Sequence, residues 1–220
     1  MHRRKFYIYF AVKSTFIMKE EQDYIRDIAD IRSMMERSSK FLSLSGWAGI
    51  MAGIYALSGA YIAWKFLGFN PGEIVCNTEK SGSSSSSLLI VIALAIAILI
   101  LAAGTAIFLS YKKSAKRGEK LWNPTSKRLL INMAVPLTAG GLLILILISK
   151  GLIGLIAPFT LLFYGLAIYN AGKFTYRAVK ILGLVEITLG LIGSYFVEYG
   201  LFFWALGFGV VHIIYGIYIH

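Results

Sequence analysis

Along this chain, long uncharged apolar runs alternate with short polar stretches that carry most of the lysines and arginines. The clearest run, LLIVIALAIAILILAAGTAIFL at 88–109, holds no charge over 22 residues, more than the roughly 20 a helix needs to cross bilayer hydrocarbon. The same alternation predicts six transmembrane helices, at 43–64, 88–110, 129–148, 152–169, 181–197 and 201–218. The predicted fold is therefore an all-α polytopic membrane bundle occupying 43–220.

Ahead of the first span the period changes. Tyr24, Ile28, Ile31, Met35, Ser38 and Leu42 recur at spacings of three and four, with acids and bases on the other side. This predicts a cytoplasmic amphipathic helix within 18–42. It suits a helix lying on the inner membrane surface, or a short seam for a partner helix. MHRRKFYIYFAVKSTFI at 1–17 imitates a signal peptide, but Lys13 interrupts its apolar run and no small-residue cleavage site follows. Met18 is the expected natural start, with 1–17 an upstream extension or a weak anchor.

Composition agrees. The chain is 57% hydrophobic and 15% charged, where a soluble domain carries about 25% charge. The net charge of +11 would suit nucleic acid, but its distribution follows the spans instead. Nine cations lie in 1–40, seven in 111–128 and three in 170–180, against Lys65, Lys80 and Lys150 in the intervening segments. By the positive-inside rule both termini are predicted to be cytoplasmic. The partner implied is the lipid bilayer, not nucleic acid.

Two loops stand out. FNPGEIVCNTEKSGSSSSS, within the outer segment 66–87, predicts a flexible connection, and its lone Cys76 has no intrachain partner. The inner loop 111–128 gathers Lys112, Lys113, Lys116, Arg117, Lys120, Lys127 and Arg128 around one acid. These cations serve as a topogenic signal, and they also offer a docking surface for lipid headgroups or a cytoplasmic partner.

Inside the spans, small residues predict helix packing. Gly49 and Gly53 form a G-x-x-x-G pair in the first span. In the fifth, LGLVEITLGLIG places Glu186 on the same side of a helical wheel as Gly183, Gly190 and Gly193. The last span puts His212 with Ala205, Gly209 and Gly216. Counted from the turn near Glu198, Glu186 and His212 lie at depths that differ by about 3 Å at the rise of an α-helix. An intramembrane Glu186–His212 pair is expected. It either pins the register of the hairpin or forms a proton- or ion-sensitive element, because ionisable groups in spans often mark relay sites. Pro136 and Pro158 add two possible helix breaks.

A weak echo runs through the last two hairpins. Thr138 and Gly140 recur 50 residues later as Thr188 and Gly190, and Tyr164-Gly165 recurs 51 later as Tyr215-Gly216. Duplication gives this pattern, and so does a shared membrane constraint.

Chemistry-bearing motifs are absent from the sequence. No Cys/His cluster has metal spacing, and no H-E-x-x-H, G-x-S-x-G or phosphate-cradling loop occurs. No enzyme, metal or cofactor is expected. IRSMMERSSKFLSLSGWAGIMAGIYAL, FYGLAIYNAGKFTYR, LGLVEITLGL and HIIYGIYI together resemble a bacterial family of small six-span integral membrane proteins. The resemblance runs from about Met18 to the C-terminus. It implies a bacterial inner-membrane location and transfers no catalytic residue. The expected role is that of a sensor, accessory or regulatory membrane component acting through a protein partner or a second copy. The alternative is a small transporter or channel using Glu186 and His212.

Overall fold

The computed structural model describes residue 28 and residues 45–69, 84–116, 122 and 124–220. The extension 1–17, the amphipathic helix apart from Ile28, Cys76, Arg117 and Lys120 lie outside the described residues. The described chain is helical, with no strand. Its helices are α1 (Gly46–Lys65), α2 (Ser84–Lys116), α3 (Pro124–Ser149), α4 (Ile153–Ala171), α5 (Arg177–Tyr195) and α6 (Val197–Ile219). All six are long and apolar enough to cross a membrane.

Several bounds move outward from the apolar runs. α2 begins at Ser84, inside the serine tract that composition assigns to the outer loop, and ends at Lys116, inside the basic stretch. Once a helix is nucleated each further residue adds a backbone hydrogen bond, so it propagates past its hydrophobic segment. Lys113 and Lys116 in the last turn also complement the negative end of the helix dipole. The basic loop is thus largely the facing ends of α2 and α3. Pro158 lies in the first turns of α4, where its missing N–H has no intrahelical partner to lose, so it breaks nothing. Pro136 does sit inside α3. Between α3 and α4 the chain turns at Gly151, whose φ of +72° is a left-handed conformation that glycine adopts without penalty.

Two antiparallel seams hold the bundle. In the first, α5 lies on α4. A methyl added at Gly183 would come within 2.6 Å of the Tyr169 nitrogen and 2.8 Å of the Gly165 carbonyl oxygen, and one at Gly190 within 2.7 Å of the Leu162 nitrogen. In the second, α1 lies on α6. A methyl at Gly46 would meet the Gly216 carbonyl oxygen and the His220 nitrogen, and one at Gly53 the Gly209 carbonyl oxygen and the Ile213 nitrogen. Both seams bring backbone against backbone. Lipid tails are as apolar as leucine, so this close van der Waals packing is what holds helices together in a membrane.

The two seams match contact for contact. Gly46, Ile50 and Gly53 of α1 stand where Gly183, Ile187 and Gly190 stand on α5. Their counterparts on α6, Gly209, Ile213, Gly216 and His220, lie 51 residues after Pro158, Leu162, Gly165 and Tyr169 of α4. The Tyr164-Gly165 and Tyr215-Gly216 part of the sequence echo is therefore a repeated packing unit that also involves α1, whereas Gly140 and Gly190 pack differently, on Phe163 and on Leu162.

The remaining helices flank these seams. α2 packs on α1, and α3 packs on α4, where Gly140 admits the ring of Phe163. None of the apolar window of α2 is buried, and Leu99, Val135 and Leu142 point outward. Such a surface suits hydrocarbon, where apolar exposure costs nothing.

This packing separates glycines that tolerate a methyl from those that do not. Gly183→Ala and Gly53→Ala should each lower stability by about 1–3 kcal/mol through overpacking. Gly104 has nothing within 4 Å, so Gly104→Ala should leave stability unchanged or raise it by up to about 1 kcal/mol. Unfolding of the detergent-solubilised protein by SDS would rank the three.

Candidate functional site

Glu186 and His212 meet in the interior of the bundle. Glu186 is 0% exposed and His212 4%, and the His212 Nδ1 lies 3.2 Å from Glu186 Oε1. α5 presents the acid one turn from Gly183 and one turn from Gly190. The close approach of α4 at both glycines brings the Glu186 Cβ to within 2.9 Å of where a Gly165 methyl would sit. The carboxyl then reaches across to α6, where Gly207 makes room for it. A methyl on Gly207 would fall 2.5 Å from Glu186 Oε2 and 2.5 Å from Leu161 Cδ2.

The imidazole has three polar neighbours. Its Nδ1 is 3.0 Å from the Gly207 carbonyl oxygen, and its Nε2 is 2.9 Å from the Tyr164 hydroxyl oxygen. A carbonyl only accepts, so Nδ1–H donates to Gly207 O. In the neutral ring Nε2 is then the acceptor, and the Tyr164 hydroxyl donates to it. With the Nδ1 hydrogen directed at the carbonyl, the 3.2 Å approach of Glu186 Oε1 is an ion-pair distance that does not close as a hydrogen bond. Both carboxyl oxygens are buried without a hydrogen-bond partner. A buried polar group left unsatisfied costs about 1–3 kcal/mol, and an unpaired charge costs more. Glu186, His212 and Tyr164 thus form a line of ionisable side chains across α5, α6 and α4, with the imidazole between the carboxyl and the hydroxyl.

Aromatic rings complete the surroundings. Phe208 stacks on His212 with centroids 5.8 Å apart and lies 4.9 Å from the ring of Tyr164. Trp204 packs on Phe208 at 5.1 Å. A column of rings thus runs along α6 from Trp204 to His212.

The sequence pairing of Glu186 with His212 did not include Tyr164 or Gly207, and one local feature accounts for Gly207. Residues Ala205–Val211 form a π-helix, with i→i+5 bonding and more residues per turn than an α-helix. Gly207, five residues before His212, is thereby turned toward the imidazole. A wheel drawn for an α-helix puts it on the far side and groups His212 with Gly209 and Gly216 instead. Those two glycines pack on α1, against Leu57 and Ile50, while the imidazole points to α4 and α5. Tyr164 was half visible in sequence, through the Tyr164-Gly165 and Tyr215-Gly216 echo. The Tyr215 hydroxyl, at the equivalent place, is a buried oxygen without a hydrogen-bond partner.

The other predicted residues fall as follows. Gly49 rests against Gly216 and Tyr215, and Gly193 makes ordinary contact with Phe203 at 3.4 Å or more. Lys112, Lys116, Lys127 and Arg128 are exposed at the ends of α2 and α3, and Lys113 is half-buried and engaged. Among the described residues no group of three or more His, Cys, Asp or Glu could hold a metal ion.

No protein-family model, curated protein or solved structure matches the chain.

The Glu186–His212 contact should be measurable in a double-mutant cycle. Glu186→Gln and His212→Ala should be non-additive by about 1–2 kcal/mol, the upper range for polar pairs between membrane helices. Additive losses in SDS unfolding would mean that the two groups do not interact.

Proposed function

We propose that this is a proton-responsive sensor or regulatory component of a membrane, with Glu186, His212 and Tyr164 as its responsive element. One observation carries the reading. A fully buried carboxyl stands 3.2 Å from an imidazole nitrogen while neither of its oxygens has a hydrogen bond. A pair kept only to fix helix register would satisfy its polar atoms. This one pairs a carboxyl with an imidazole without hydrogen-bonding it, which suits a group whose task is to change charge.

The element sits where such a change would be felt. Glu186 is wedged between the two glycines of one seam, and His212 belongs to the helix that makes the other. A charge formed there is relieved by moving α5, α4 or α6. The surfaces that would pass the movement to a partner are the amphipathic segment 18–42 and the cations of 111–128.

The same reading includes topology and location. With alternating helix directions, the described cations gather at one end, where Lys112, Lys113, Lys116, Lys127, Arg128, Lys173, Arg177 and Lys180 face only Lys65 and Lys150 at the other. This supports cytoplasmic termini; the bacterial inner membrane follows from the sequence resemblance alone. A reporter that works only in the cytoplasm should be active when fused after His220, and activity there of a reporter that works only outside would reverse the assignment.

A second reading, a small proton- or cation-coupled transporter, is favoured by the π-helix beside the acid, since π-segments recur at functional sites. Two measurements separate the readings. A pH-jump infrared difference spectrum of the reconstituted protein should show a carboxylic C=O band that is lost in Glu186→Gln; no such band would sink both. Proteoliposomes that also acidify in a Glu186-dependent way would favour transport over sensing.

A further inference from the structure

Beside the repeated seams, the bundle leaves one join open. α2 packs on α1, and α3 packs on α4, but no comparable seam forms between α2 and the α3–α4 hairpin. A cavity of about 130 Å³ lies there, open on one side and lined from α1, α2, α4 and α6. Its walls include Ala60, Ala63, Ala95, Ile98, Ala157 and Trp204. Its hydroxyl, Thr160 Oγ1, already donates to the Ala157 carbonyl at 2.7 Å. Glu186, His212 and Tyr164 take no part in the lining.

Water has no reason to enter this space, because a stable buried water needs two to four polar partners. A dry cavity of about 150 Å³ with a similar lining takes up benzene. Left empty, the lining loses dispersion contacts outright. The medium at its open side is hydrocarbon, and Leu89, Ile90, Ile96 and Leu99 of α2 are exposed along the same stretch of helix.

The ends of the lining elements carry the complementary charge. Lys65 follows Ala63 by two residues on α1, and Lys150 precedes the lining residue Ile153 by three. Both lysines are exposed, and they are the described cations of that end of the bundle. The mouth of an apolar slot thus has ammonium groups at headgroup level.

We infer that this cavity is a phospholipid site, taking a segment of one acyl chain between α2 and α4 with the phosphate held by Lys65 and Lys150. The site is independent of the Glu186 chemistry, so either can fail without the other.

Trp204, in the cavity wall, serves as the reporter. The full chain with Trp47, Trp64 and Trp122 changed to Phe would be reconstituted in phosphatidylglycerol containing increasing fractions of dibromo-acyl phosphatidylglycerol. Quenching of Trp204 should saturate at a lower brominated fraction than random annular contact gives. Ala157→Phe, which fills the cavity, should abolish the saturating component, and Lys65→Gln with Lys150→Gln should shift it to higher fraction. If Ala157→Phe does not fold, as judged by circular dichroism, Ala95→Phe fills the same space from the α2 side. Quenching that tracks the bulk brominated fraction equally in parent and filled variants would overturn the proposal. Efficient quenching by aqueous iodide in the parent would do so as well, by showing the cavity to be wet.

Discussion

Close approach of helix backbones is the constraint on which this molecule rests. Surrounded by hydrocarbon, its helices gain nothing from hiding leucine from lipid, so attraction depends on how near two backbones come. Gly183 and Gly190 against α4, and Gly46 and Gly53 against α6, set that distance. A methyl at any of these four would fall within 3 Å of a backbone atom of the facing helix. α2 and α3, without such seams between them, lie at the flanks and turn their leucines, isoleucines and valines outward.

The repeated seam explains where the chemistry sits. Position for position, Glu186 of α5 corresponds to Gly49 of α1, and His212 of α6 to Leu161 of α4. One packing unit is used twice, and each copy carries one ionisable group, Glu186 beside Leu161 in the α4–α5 seam and His212 beside Gly49 in the α1–α6 seam. Where the two seams meet, the Glu186 carboxyl needs space, and Gly207 supplies it, brought into place by the π-helix at Ala205–Val211. A widened turn costs hydrogen-bond geometry and is tolerated here because it admits the carboxyl between Leu161 and His212.

The interior of the bundle therefore divides into two environments with different physics. Around Glu186 the contacts are polar, the carboxyl is fully buried, and electrostatics decides the energy. In the cavity by Trp204 they are apolar, and shape decides. Phe208 joins them, touching Trp204 on one side and His212 and Tyr164 on the other.

The six spans, their approximate bounds and the cation asymmetry were legible in the sequence, because hydropathy and charge are one-dimensional quantities that a bilayer reads directly. So was the pairing of Glu186 with His212, since both lie at similar depth counted from the turn near Glu198. What only the tertiary structure decided was which face each residue takes. Gly209 went to α1 and His212 to α4 and α5, because the π-segment between them changes the angle per residue and no wheel drawn at a fixed angle follows it. Tyr164 joined the site because α4 and α6 run parallel with Phe208 between them, and no spacing along the chain encodes that contact.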